Sequence, residues 1–136
     1  MMRYLVVAFG ATLALTAGCG SRRPVVSGVV TLDGQPLDNG TIQLVPVAGD
    51  GQTSAAILDA QGRYQMEASP TKMKVIISSS RVTGKRPAYE GVPDSPWIET
   101  RDEVLPPRYS DRNKTELTIT IVPGENKEDF HLKTKP

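Results

Sequence analysis

Arg63-Tyr64-Gln65-Met66-Glu67-Ala68 is the stretch that decides the fold class. Tyr64, Met66 and Ala68 fall on one face of an extended chain, and Arg63, Gln65 and Glu67 fall on the other. Side chains of a strand alternate between faces, so a period of two with one apolar face marks a half-buried strand. Gly62 before the run supplies a turn, and Pro70 after it breaks the pairing. Working outward in both directions, the same period recurs. Upstream, Val26, Gly28, Val30 and Leu32 alternate with Val25, Ser27, Val29 and Thr31 up to an Asp33-Gly34 turn. Ile42 and Leu44 alternate with Thr41 and Gln43 up to Pro46, and a short run over 53–58 ends in Ile57-Leu58 before the turn Asp59-Ala60-Gln61-Gly62. Downstream, Met73, Val75 and Ile77 alternate with Lys72, Lys74, Ile76 and Ser78. Leu117, Ile119 and Ile121 repeat the pattern, Pro123-Gly124-Glu125-Asn126 turns the chain, and Phe130 and Leu132 close it.

These are seven short strands with no crossover helix among them. The spacing predicts an all-β, antiparallel sandwich. Its expected inward set is Val30, Leu32, Ile42, Leu44, Leu58, Tyr64, Met66, Val75, Ile77, Leu117, Ile119, Ile121 and Phe130. Truncating a central member such as Ile119 to Ala is expected to cost roughly 2–5 kcal/mol. Asp33-Gly34 and Asp38-Asn39-Gly40 read as turns in which Gly supplies a positive φ.

The first 18 residues read as an export signal. Arg3 provides a positive start, Tyr4 to Ala17 is an uncharged and mostly apolar run of 14 residues, and small residues end it. A membrane-spanning helix needs roughly 20 apolar residues, so the run is too short to span. The one Cys of the chain follows at once. Leu15-Thr16-Ala17-Gly18-Cys19 resembles the bacterial lipobox, with Thr16 standing where an aliphatic residue is usual. That resemblance implies lipidation at Cys19, a mature chain that starts there, and a short tether over residues 19–24. Each buried methylene contributes about 0.8 kcal/mol, so two or more acyl chains hold a protein firmly to a bilayer. The expected partner is thus a membrane, reached through the lipid. Gly20 is not the Asp tied to inner-membrane retention in some bacteria, which points to the outer membrane or the periplasmic face of the envelope.

Val26-Ser27-Gly28-Val29-Val30-Thr31-Leu32-Asp33-Gly34-Gln35-Pro36-Leu37 is similar to the opening of carboxypeptidase regulatory-like domains, as is Gly40-Thr41-Ile42-Gln43-Leu44-Val45-Pro46. Leu58 to Tyr64 and Pro70 to Val75 look like that family's third to fifth strands, with Thr71 where the family usually has Gly. Together with Pro106-Pro107-Arg108-Tyr109 and the ending Phe130-His131-Leu132, the chain resembles small planctomycete lipoproteins of this type. The resemblance implies a transthyretin-like (prealbumin-like), seven-stranded Greek-key sandwich over residues 25–133. It implies a non-catalytic module with a structural or adhesive role in the cell envelope.

Residues 80–113 carry no convincing strand or helix period and stand as a long insertion before the last two strands, with 97–105 open to a short strand or one helical turn. The insertion holds Tyr89, Trp97 and Tyr109, three of the five aromatics that follow Cys19. Two roles are open to them. They pin the segment onto the sheet edge, or they present a surface to an envelope polysaccharide, a peptide or a partner protein. A third alternative is an accessory subunit that docks by an edge strand.

Chemistry finds little purchase. Sixteen basic residues against fifteen acidic ones leave a net charge of +1, against a nucleic-acid partner. One Cys and one His exclude an intramolecular disulfide and zinc sites built on several of them. His131, between Phe130 and Leu132, belongs on an outward face. Ser78-Ser79-Ser80 lacks a nucleophile elbow, and Asp59-Ala60-Gln61-Gly62 lacks the closing Glu of a calcium loop. The chain also lacks the Tyr-Arg-Gly-Ser ending of the transthyretin-like hydroxyisourate hydrolases. A hydrolase would need Glu90, Asp94, Glu99, Asp102 and Glu103 to converge. No catalytic, cofactor-binding or metal residue is expected. Lys72, Lys74, Arg81, Lys85 and Arg86 form the densest basic run and read as a solvated edge that discourages strand pairing.

Overall fold

The computed structural model describes residue 20 and residues 22–135. The expected export signal and Cys19 therefore lie outside the described residues. Ten strands and one helical turn follow in order: β1 (Val25–Leu32), β2 (Gln35–Pro36), β3 (Gly40–Pro46), β4 (Ser54–Ile57), β5 (Arg63–Glu67), β6 (Lys72–Pro87), β7 (Trp97–Glu103), α1 (Pro107–Ser110), β8 (Thr118–Thr120), β9 (Glu125–Lys127) and β10 (Phe130–Leu132). Among the described residues no helix is long and apolar enough to cross a membrane.

β1 is the spine of the first sheet. Its first half pairs antiparallel with β5 and parallel with β9, and its second half pairs antiparallel with β2 and parallel with β10, so this sheet is mixed and not antiparallel throughout as the strand spacing predicts. The end of the chain thus lies beside its beginning, with Val30 opposite Phe130 and Leu32 opposite Leu132. Where β9 passes to β10 the chain bulges toward β1. A Cβ on Gly28 would sit 1.7 Å from the Glu128 carbonyl oxygen, so the alternating pattern needs a glycine at this one position. The Tyr64 hydroxyl donates to that same carbonyl at 2.6 Å. Burial, with Glu128 and Asp129 nearby, pushes the Tyr64 phenol above its ordinary range.

The second sheet runs β4–β3–β6, with β8 beside the first residues of β6 and β7 beside its last eight. Side chains from both sheets meet in one core. Val26, Val30, Ile42, Leu44, Met73, Val75 and Ile77 are fully enclosed there. This is a β-sandwich.

The expected inward set is buried except for Leu32 and Leu117, which are half-buried and lie against the core. Leu37 and Leu105 join it from irregular segments that no period could flag. Val45 and Ile76, on the opposite face of the second sheet, are also buried, so that face is not uniformly wet.

The turns follow their residues with one correction. Asp33 and Gly34 both take positive φ, the pattern of a two-residue hairpin between paired Leu32 and Gln35. In the next turn it is Asn39 that carries the positive φ, not Gly40. Gly40 is instead the first residue of β3, where a Cβ would stand 2.7 Å from Leu58 Cδ1. Its role is close packing. Asp59 Oδ1 accepts from the amides of Gln61 and Arg63, and Gly62 has a positive φ, as a plain turn requires.

A candidate interaction arm

The largest departure from expectation lies in the segment 80–113. Residues 80–103 form a β-hairpin arm, not a patternless loop; its return strand β7 is the short strand left open over 97–105, and α1 follows it. β6 does not stop at the sandwich edge but continues to Pro87, and β7 returns alongside it with Ser80 opposite Glu103, Lys85 opposite Glu99 and Pro87 opposite Trp97. Thr83 is an extra residue between Val82 and Gly84, a bulge that bends the ribbon. The reason the sequence hides this strand is physical. Periodicity reports burial, and from Ser80 to Arg86 every side chain is exposed, as is all of β7 except half-buried Thr100. With both faces wet, nothing sorts polar from apolar residues.

The arm is clamped at its root. Glu103 Oε1 accepts from the amides of Ser79 (2.9 Å) and Leu105 (3.0 Å), and the Val104 amide donates to the Ser79 carbonyl at 2.8 Å. Leu105 then drops into the core and α1 packs behind it. Beyond Ser79, β3 has ended, so the distal half of β6 has β7 on one side only. β7 likewise has no strand on its outer side among the described residues.

The arm and the N-terminal end of the sandwich lie at opposite poles. The Ala68 amide donates to the Pro24 carbonyl, the Val25 amide to Gly124 and the Ile121 amide to Thr71, each at 3.0 Å, which gathers the start of β1 and the start of β6 at one end. β1 and β6 both run away from that end. At roughly 3.3 Å per residue, the sixteen residues of β6 span about 50 Å.

The three aromatics of the segment separate. Tyr89 (65% exposed) lies in the turn of the arm and Trp97 (68% exposed) at the start of β7. The Tyr89 amide donates to Ser95 Oγ at 2.9 Å, which shapes that turn. Tyr109, by contrast, sits in α1 half-buried against the core. Its hydroxyl accepts from the Lys133 amide at 3.2 Å, and the Arg108 guanidinium lies 4.9 Å from its ring centre. Burial pushes the Tyr109 phenol up, but the hydrogen bonds from Lys133 and Arg108 outweigh it and bring its pKa below the ordinary value. Of the three, only Tyr109 pins its segment to the sandwich.

The remaining candidates are dispersed. His131 is exposed, its Nδ1 2.8 Å from Thr31 Oγ1. Glu99 forms an ion pair with Arg101 at 3.1 Å, Glu103 is engaged at the arm root, and Asp102 lies on the opposite face of β7. Glu90 and Asp94 belong to the loop at the tip. The five carboxylates are strung along the arm rather than gathered. Among the described residues no three His, Cys, Asp or Glu side chains come together as metal ligands would.

One feature had no sequence signal. A groove of about 790 Å³ runs between the arm root and the β1–β2 hairpin, lined among others by Gln35, Asn39, Ser80, Val82 and Arg101. Its walls come from separate segments of chain, and only folding brings them together.

No family model matches the chain, and no curated protein matches it. Among solved structures, it is similar to a DUF3823 family protein from Parabacteroides merdae ATCC 43184, with 12% identity, a TM-score of 0.43, and coverage of 82% of this chain and 46% of that one. It is also similar to a 9R-lipoxygenase from Cyanothece PCC8801, with 11% identity, a TM-score of 0.38, and coverage of 92% of this chain and 18% of that one. The chain spans less than half the length of either protein.

Proposed function

We propose that this chain is a non-enzymatic, lipid-anchored β-sandwich of the cell envelope, tethered through Cys19 and acting as a structural or adhesive element through its arm. In this reading β1, β3, β4, β5, β6, β8 and β10 form the transthyretin-like Greek key of a carboxypeptidase regulatory-like domain, of the kind found in planctomycete lipoproteins. The observation that carries the reading is the polarity of the molecule. The described chain begins at one pole and the arm leaves from the other, so an anchor at Cys19 holds the body close to the outer membrane or periplasmic face and presents the arm away from the lipid. A tether of six residues reaches at most about 20 Å.

Two measurements test it. Mass spectrometry of the mature N-terminal peptide is expected to find a diacylated Cys19; a free thiol there, or a chain still starting at Met1, overturns the anchor. Affinity capture from envelope extracts with the full chain and with residues 81–103 replaced by a short turn is expected to lose partners in the second case. Identical partners from both chains overturn the role of the arm.

A second reading has its own support. Tyr89 and Trp97 are exposed together on the arm, as a module that stacks on sugar rings or grips a peptide requires. Quenching of the single Trp97 by an envelope polysaccharide, lost on Trp97→Ala, is its signature.

A further inference from the structure

We infer that the arm docks onto a second copy of this chain, β7 against β7 in a two-fold antiparallel pair centred on Thr100. The inference rests on the reading of the arm as a docking element and names its occupant.

A two-stranded ribbon is marginal in water, and three or more strands are needed for independent stability. The outer edge of β7 presents an unpaired row of backbone groups, the usual template for strand addition. Of the devices that blunt an edge, β7 carries charged side chains (Glu99, Arg101, Asp102 and Glu103), which a partner strand must match. β7 is seven residues long, contains no Pro or Lys, and has its bulge on the other strand, at Thr83.

The charges select both partner and register. In a two-fold antiparallel pair one residue faces its own copy, and residues equally far on either side face each other. Centring on Glu99, Arg101 or Asp102 sets like charges against each other. Centring on Ile98 leaves most of the strand without a partner. Centring on Thr100 uses all of Trp97–Glu103 and sets Glu99 against Arg101 of the copy twice over. The rows across the ribbon then alternate in sign. Lys85 lies beside Glu99 within one chain and Arg101 of the copy follows, while on the other face Arg81 lies beside Asp102 and Ile98 of the copy follows. No row sets like charges side by side. The product is a four-stranded ribbon with the two sandwiches, and their N-terminal ends, at opposite ends of it.

The test uses the full chain in detergent micelles, by sedimentation velocity. Wild type is expected to form dimers. Glu99→Arg alone and Arg101→Glu alone each set like charges across the pair and are expected to weaken the dimer at least about tenfold. An equimolar mixture of the two variants restores opposite charges at every position and is expected to restore the dimer. Circular dichroism checks that each variant is folded, which an exposed site permits. As an independent readout, Thr100→Cys is expected to cross-link to its own copy on mild oxidation and Asp102→Cys is not. A monomeric wild type, variants that dimerise as wild type does, or a mixture that stays monomeric overturns the inference. If wild type is monomeric yet arm removal still strips envelope partners, the docking arm stands and only the self-pairing falls.

Discussion

A single strand, β6, passes through two environments. From Met73 to Ile77 it pairs with β3, with β8 on its other side at Met73 and Lys74, and Met73, Val75 and Ile77 are fully enclosed. From Ser80 to Arg86 the same strand has one neighbour and every side chain in water. The first half is held by apolar burial, at about 25 cal/mol for each Å² removed from water. The second half is held by backbone pairing to β7 and by the Glu103 carboxylate at its root. The difference teaches that a strand can outrun the core that nucleates it when a local clamp fixes its exit. Elements with few buried contacts open at low free-energy cost, and interaction surfaces are drawn from them.

The contrast is broken most forcefully by truncation. Ile42→Ala, in the enclosed part, is expected to lose roughly 2–5 kcal/mol in a denaturant titration. Ile98→Ala, on the arm, is expected to stay within about 0.5 kcal/mol. Equal losses would mean that the arm packs on the body. Next in size, Gly28→Ala drives a methyl group into the Glu128 carbonyl. It is expected to fall at the upper end of the roughly 1–3 kcal/mol typical of overpacking; a neutral outcome would show that the β9–β10 bulge moves freely.

How much of this was legible in the sequence follows from the same contrast. Tyr64 and Met66 announce their strand because one face of it is dry and the other wet. Val82 and Ile98 announce nothing, because neither face of the arm is dry. Alternation sets Ile76 on the outward face and gives Val45 no place, since it assigns only one buried face, yet both are buried. Asn39-Gly40 has the composition of a turn with a positive-φ glycine, whereas the constraint on Gly40, Leu58, lies eighteen residues away. The aromatics of the candidate site were found by residue type. What divides Tyr109 from Trp97 and Tyr89 is the tertiary placement of Lys133 and Arg108, which no local pattern encodes.

Two smaller effects sharpen the comparison. Glu103→Ala removes the acceptor shared by two amides at the arm root. It is expected to speed hydrogen exchange at Ser79 and Leu105 roughly tenfold and to leave global unfolding of the body unchanged. Loss of global stability would place the clamp inside the body. The smallest effect concerns the C-terminal end. Asp33 accepts from both the hydroxyl and the amide of Thr134, and these bonds hold its carboxyl below its ordinary value of 3.8. A depressed carboxylate stabilises above its unfolded pKa and loses that contribution as the pH falls through the folded one. The Thr134 amide resonance is therefore expected to hold steady above about pH 5 and to shift only as the pH drops below 3.8. A midpoint at or above the ordinary value would deny the contact.

The projection of the arm is tested most directly by a distance. With Cys19 replaced by Ser, spin labels placed at Arg23→Cys, beside the start of β1, and at Gly91→Cys, in the turn of the arm, can be measured by pulsed electron resonance. An extended β6 predicts a narrow distribution near 50 Å, given about 3.3 Å per residue along the strand. A distribution centred below about 25 Å, the length of the strand's sandwich half on the same spacing, would mean that residues 80–103 fold back on the body and would contradict the account.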